Sequence, residues 1–120
     1  MTRRAIVHLE IPAADRAEAA KFYSKLFGWD TQALEEMKYT TFEAEGLAGG
    51  FPNVDGEFSK ADRVLVYIDS KDINTDLKQI EAAGGKMVHP RDEIPGFGFW
   101  AAFKDPTGNT IGLYEAAPKS

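Results

Sequence analysis

The sequence contains no cysteine. Disulfide bonds, thiolate nucleophiles and metal sites with cysteine ligands are therefore excluded for this stretch of chain. Basic residues are in the minority as well, because 14 Lys and Arg stand against 19 Asp and Glu, and the net charge is −5 at pH 7. No basic stripe offsets this balance, so neither nucleic acid nor an anionic membrane is an expected partner.

Long apolar runs are also missing. Nothing approaches the ~18 consecutive apolar residues of a transmembrane helix, and no apolar signal-peptide core follows Met1. The expectation is a cytoplasmic protein. The sequence further lacks a Ser-His-Asp pattern and a phosphate-binding glycine loop, so nucleophilic hydrolysis and nucleotide binding have no support.

The sequence does contain an internal repeat. An offset of 57 residues superposes several identical residues, among them Ile11 on Ile68, Asp15 on Asp72 and Gly28 on Gly85. In each copy an apolar strand is followed by an Asp, a helix and a glycine, in that order. A repeat that preserves this order indicates duplicated supersecondary units. At 120 residues, the chain is predicted to be a single domain made of two half-domain modules.

The opening strand alternates between two faces. Its apolar residues are predicted to face a core, and His8 and Glu10 to point to the opposite side. Asp15 has the residue type of an N-cap and Gly28 that of a left-handed helix end, which predicts a helix over Arg16–Phe27. In the second copy, Asp72 is predicted to cap a helix that stops at Gly84-Gly85.

The remaining strands are predicted from alternation, β-branched and aromatic content, and turn residues. In the first module they are residues 29–34, 38–44 and 46–51, and in the second 64–68, 86–89, 97–104 and 110–114. Module one spans about residues 5–52, a polar linker about 53–62, and module two about 63–115. The predicted fold is α+β, in which two βαβββ modules form an eight-stranded, partly open, cup-shaped barrel with the helices outside.

Two motifs carry a family resemblance. The segment from Asp15 to Trp29, DRAEAAKFYSKLFGW, resembles the "D…A..FY...FGW" signature of the vicinal oxygen chelate superfamily. The segment from Asp105 to Glu115, DPTGNTIGLYE, resembles its "DP.GN…L.E" ending. That superfamily includes glyoxalase I, the bleomycin resistance proteins and the extradiol dioxygenases. The resemblance implies the glyoxalase-like fold. It also implies a homodimer, because homodimers are common in the superfamily.

The resemblance also implies where a divalent ion would be held. Metal-dependent members use four His, Glu or Gln side chains, and the first of these positions is His8. The other three positions carry no donor side chain in this sequence: Leu65, Gly49 or Gly50, and Gly112. One imidazole with water holds a divalent ion poorly. No metal and no other cofactor is therefore expected.

The predicted activity is the binding of a small, partly aromatic molecule in the central cup. His8 and Glu10 would supply polar contacts and His8 is the candidate catalytic residue, while four aromatic side chains would form walls: Phe51, Tyr67, Trp100 and Tyr114. His89 is predicted to lie at a strand end on the surface. Two alternatives stay open: a divalent-metal-dependent lyase or dioxygenase of the glyoxalase I or extradiol type, and a structural or regulatory dimer without a ligand.

Overall fold

The computed structural model describes residues 3–118. Eight strands and two α-helices follow one another in two βαβββ modules, as predicted. Module one contains β1 (Ile6–Glu10), α1 (Arg16–Phe27), β2 (Asp30–Leu34), β3 (Tyr39–Ala44) and β4 (Leu47–Phe51), with a short 3-10 helix at Glu35–Met37. Module two contains β5 (Leu65–Asp69), α2 (Ile73–Ala82), β6 (Lys86–Ile94), β7 (Gly98–Lys104) and β8 (Thr110–Ala116).

The chain divides into two compact units that follow these modules closely. One unit is His8–Leu65, and the other contains the described residues up to Val7 together with those from Val66 onward. In the first, the strands are ordered β2-β3-β4-β1, with β1 and β4 parallel. In the second the order is β5-β8-β7-β6, with β5 and β8 parallel. Each helix connects two strands of its own module.

The helix ends are confirmed by their capping contacts. The Asp15 carboxylate accepts a hydrogen bond from the Glu18 N–H at 3.0 Å, and Gly28 closes α1 in the left-handed conformation at φ 73°. The Asp72 carboxylate accepts from the Thr75 N–H at 3.2 Å at the start of α2. No helix in residues 3–118 has both the length and the apolar content that crossing a membrane would require.

One side of each sheet forms a core with its helix. In module one Phe42, Phe51 and Ala13 are buried against an aromatic set on and after α1 that includes Tyr23 and Trp29. In module two the buried core is Ile73, Leu77, Ala101 and Leu113, with Phe99 and Phe103 packed on it. Phe99 and Phe103, at alternate positions of β7, therefore face α2, whereas Phe97 lies in the preceding turn and is 49% exposed.

The predicted end of β6 at Pro90 was wrong. The strand continues to Ile94, and its pairing with β7 is interrupted by register shifts between Met87 and His89 and between His89 and Asp92. A bulged edge strand tolerates proline because the missing N–H falls where the ladder is already interrupted. In this part of β6, His89 lies flat on Trp100, with ring centroids 4.1 Å apart and planes 7° apart.

An ion pair fixes the residues before β1 to helix α2. Arg4 makes a bidentate contact with the Asp76 carboxylate, which is 7% exposed and also accepts a hydrogen bond from the Ser70 hydroxyl. The hydrogen bond from Arg4 is the main reason that the pKa of Asp76 lies below its usual value of 3.8. The residue after Arg4 is held to the same module, because the Asp69 N–H donates a hydrogen bond to the Ala5 carbonyl at 3.0 Å.

Replacing Asp76 is expected to destabilise the protein in a pH-dependent way. A carboxylate with a lowered folded-state pKa contributes stability above its unfolded pKa and loses that contribution as the pH falls through the folded pKa. Asp76→Asn should therefore cost about 1 to 3 kcal/mol of unfolding free energy at pH 7, and the difference from the unsubstituted protein should shrink below pH ~4. Urea unfolding at pH 7 and pH 3 measures both values.

The control for this experiment is Asp30→Asn, because Asp30 is exposed on β2. That change should stay within ~0.5 kcal/mol at either pH. A penalty for Asp76→Asn that is equally large at pH 3 would show that the charge of the Asp76 carboxylate is not what stabilises the fold.

Candidate functional site

The sheet face of module one that lies opposite α1 carries the predicted polar residues. Side chains alternate along a strand, so Leu9 packs into the helix-side core and His8 and Glu10 point the other way. Glu10 pairs with Gly50, and Gly50 pairs with Thr41 on β3. Directly paired residues share a face. Gly50 therefore belongs to this face, and its neighbour Gly49 belongs to the core side.

Tyr39, the first residue of β3, joins the two predicted residues. Its hydroxyl donates a hydrogen bond to Glu10 Oε2 at 2.8 Å and lies 2.9 Å from His8 Nε2. His8 Nε2 and Glu10 Oε2 themselves are 3.9 Å apart. The three side chains are called the Tyr39 cluster below. Its phenol oxygen is the shared centre, because both other groups bond to it.

Tyr39 reaches this position because residue 50 has no side chain. A Cβ atom built on Gly50 would lie 2.0 Å from the Tyr39 hydroxyl oxygen and 2.1 Å from Cζ. Real Cβ atoms do not approach other atoms so closely, so the ring occupies the space that any side chain at position 50 would need. The Tyr39 cluster therefore requires a glycine at position 50.

The Tyr39 cluster is partly enclosed. The side chains of His8 and Glu10 are 30% and 14% exposed. Burial lowers the pKa of His8 below its ordinary value of 6.5, because a charged imidazolium loses solvation there. At neutral pH His8 is accordingly an uncharged imidazole, able to donate through one ring nitrogen and accept through the other.

Module two repeats the same packing with a different residue. Tyr67 pairs with Gly112 across β5 and β8, and a Cβ on Gly112 would lie 2.3 Å from the Tyr67 ring. Trp100 pairs with Tyr114 on the same face, as predicted. The Tyr114 hydroxyl donates to the Phe97 carbonyl, and the pKa of Tyr114 is raised mainly by burial. This face therefore presents aromatic rings opposite α2.

Sequence reasoning placed one residue on the wrong side and missed another. Phe51 was predicted to be a cup wall, but it is fully buried in the helix-side core, 5.5 Å from the Tyr23 ring and 5.1 Å from the Phe42 ring. Its pairing with Thr40 sets this orientation, one residue out of phase with Gly50. Tyr39 was missed because the sequence signalled only a strand there. The signal that would have found it is alternation, which puts Tyr39 and Thr41 on one face.

The residues at the positions implied for a divalent ion do not make up a ligand set. Leu65 is buried and has no donor atom, the space above Gly50 is filled by Tyr39, and that above Gly112 by Tyr67. Within residues 3–118, no three His, Asp or Glu side chains come together as a metal-binding group. A divalent ion would have to displace the hydrogen bonds of the Tyr39 cluster to use His8 and Glu10.

Comparison with known proteins identifies the family. The Glyoxalase/Bleomycin resistance protein/Dioxygenase superfamily matches residues 5–113, so the chain belongs to that superfamily. A glyoxylase-like domain-containing protein from Didymella fabae is 34% identical over 116 residues, which cover 85% of this chain and 86% of that protein.

Two further comparisons bear on length and fold. A putative glyoxylase, CFP32, from Mycobacterium bovis is 26% identical over 90% of this chain, but the match covers only 44% of that protein. The crystal structure of a glyoxalase/bleomycin resistance protein/dioxygenase superfamily member from Vibrio splendidus 12B01 has a TM-score of 0.66 at 11% identity and covers 96% of this chain and 100% of that one. The predicted α+β, glyoxalase-like fold is confirmed.

The dependence of the Tyr39 cluster on Gly50 can be tested with a double-mutant cycle. Gly50→Ala should displace the Tyr39 ring, break its bonds to His8 and Glu10, and cost about 1 to 3 kcal/mol. Tyr39→Ala opens the space, so Gly50→Ala should cost far less in that background. Chemical denaturation of the four proteins gives the coupling energy.

Gly112→Ala serves as the matched control, because Gly112 is packed under a tyrosine in the other module. Its cost should be independent of Tyr39→Ala. Additive costs for Gly50→Ala and Tyr39→Ala would contradict the packing described here.

Proposed function

We propose that this chain is a metal-free member of the superfamily that binds a small organic molecule on the face of module one that carries the Tyr39 cluster. The observation that supports the proposal most directly is the position of the Tyr39 phenol. It fills the space of a side chain at residue 50 and bonds to His8 and Glu10. The protein thereby organises these two side chains with its own hydroxyl group, in the role that an ion would otherwise take.

The arrangement resembles a binding site more than a structural contact. Small-molecule sites combine a few fixed polar groups with mostly apolar or flat walls. Here two polar side chains of β1 bond to one phenol oxygen of β3, and the His8 side chain is 30% exposed. A purely structural network would be expected to bury its members fully, because exposed hydrogen bonds contribute little to stability.

Tyr67, Trp100 and Tyr114 stay predicted ligand contacts of module two. Their rings lie on the face opposite α2, where an apolar or planar group can stack on them. The stacking of His89 on Trp100 supports this proposal, because it is a contact of the same flat kind. A homodimer and a cytoplasmic location likewise stay predictions.

The absence of a metal requirement can be tested by elemental analysis. Protein purified without chelator and then incubated with Zn, Ni, Mn or Fe(II) should carry no stoichiometric ion, because the donor set at His8 is incomplete. His8→Ala should give the same result. A stoichiometric ion that disappears in His8→Ala would overturn the proposal and favour the metal-dependent lyase or dioxygenase alternative.

Ligand binding is best screened by thermal shift with a library of small aromatic and polar molecules. A true ligand raises the melting temperature of the unsubstituted protein, and the increase grows with the logarithm of the ligand concentration once this exceeds Kd. Tyr39→Phe and His8→Ala should abolish the shift or weaken binding about tenfold, since each removes a hydrogen bond of the site. His89→Ala, in the other module, should leave binding through the Tyr39 cluster unchanged.

A further inference from the structure

A histidine and an aspartate of β6 lie on the aromatic face of module two. His89 pairs with Ala102 of β7, and Asp92 pairs with Trp100. Directly paired residues share a face, and Trp100 and Ala102 share one because they are alternate residues of β7. The same face carries Tyr114, which pairs with Trp100. His89 and Asp92 therefore lie on the side of the sheet opposite α2.

The irregular pairing of β6 brings these two side chains to one face. In a regular strand, residues three positions apart point to opposite faces. Between His89 and Asp92, however, β6 advances three residues while β7 advances only two, from Ala102 to Trp100. Such a bulge redirects the side chains around it, and bulges are common beside active sites. The bulge therefore builds a His–Asp pair that a regular strand could not hold on one face.

The imidazole of His89 is held by two contacts. His89 Nε2 lies 3.2 Å from Asp92 Oδ2, and the ring stacks on Trp100 with centroids 4.1 Å apart. An ionised carboxylate has no hydrogen to donate, so a neutral His89 donates through Nε2 and carries its lone pair on Nδ1. The His89 side chain is 36% exposed, which leaves it accessible to a small molecule.

We propose that His89 is a general base that takes a proton from a planar organic substrate bound on the aromatic face of module two. Imidazole suits this role near neutral pH, and aromatic rings favour flat substrates. The proton passes from the substrate to Nδ1, and the electron pair of the broken bond stays on the substrate. The Asp92 carboxylate stabilises the imidazolium that forms, which then gives its proton to water. This inference concerns module two and does not rest on the binding proposed for the Tyr39 cluster.

The base is tested with 5-nitrobenzisoxazole, a flat carbon acid whose reaction needs no cofactor. When a base removes the proton from C3, the electron pair forms the nitrile bond, the N–O bond breaks and a yellow phenolate is released. At pH ~8 the unsubstituted protein should show saturable turnover, with kcat/KM at least about tenfold above the second-order rate constant of free imidazole. A rate constant no higher than that of imidazole would overturn the proposal, whatever the stability of any variant.

Variants of the two histidines identify the base. His89→Gln keeps a planar polar group on the strand but has no basic nitrogen, so turnover should fall at least about tenfold. Glu93→Gln is the control, because Glu93 pairs with Phe99 and so lies on the α2 side of β6. It should keep the rate within about twofold. Unchanged turnover in His89→Gln, or loss of turnover in His8→Gln instead, would overturn the proposal.

Asp92 has a separate test as a positioning residue. Asp92→Asn keeps the shape of the side chain, but its amide can donate to Nε2 and so favours the tautomer without a lone pair on Nδ1. We expect kcat to fall about tenfold while KM changes less than about twofold, and Asp92→Glu to recover part of kcat. A structural role alone would lower the melting temperature and leave kcat of the folded protein unchanged. Equal kcat values for Asp92→Asn and the unsubstituted protein would contradict the role assigned to Asp92.

Discussion

The structure of the candidate site depends on the close packing of a tyrosine ring over a glycine. Tyr39 can bond to His8 and Glu10 only because Gly50 leaves its space empty, as the 2.0 Å separation between a built Cβ and the phenol oxygen shows. A single methyl group at position 50 would conflict with the whole arrangement. The absence of a side chain is therefore as much a part of the site as the polar groups are.

The two modules use this packing in parallel but with different chemical results. In module one the ring comes from β3 and its hydroxyl meets two polar side chains, whereas in module two Tyr67 lies on Gly112 within an aromatic face. Glu10 and Tyr67 occupy equivalent positions of the repeat. A duplicated framework thus carries a polar face in one copy and an aromatic face in the other, because the framework fixes strand pairing and leaves outward side chains to vary.

Membership of the superfamily does not by itself settle the chemistry of this chain. Its relatives carry names such as glyoxylase-like protein, and one fold supports several activities. Three of the four positions implied for an ion carry no donor side chain, and the Tyr39 ring fills the space at one of them, Gly50. Recognition of a ligand by hydrogen bonds on this face therefore stays a proposal.

Much of the fold could be read from local signals. Asp15, Gly28 and Asp72 are helix caps whose effect is confined to one turn, so the bounds of α1 followed from the sequence alone. The extension of β6 past Pro90 could not be predicted from local signals, because it depends on a bulge that forms only in the pairing with β7. Phe51 was misplaced for a related reason, since its face depends on its register with Thr40.

The sequence by itself determined the two-module α+β plan, the helix bounds, and the outward position of His8 and Glu10, because periodicity and capping are local properties. Only the tertiary structure decided that Tyr39 joins those two residues. That contact links residues 31 and 29 positions apart, and it requires the register that sets Thr41 against Gly50. A one-residue slip in that register would turn Tyr39 to the other face, so alternation along β3 groups Tyr39 with Thr41 but does not bring it to His8 and Glu10.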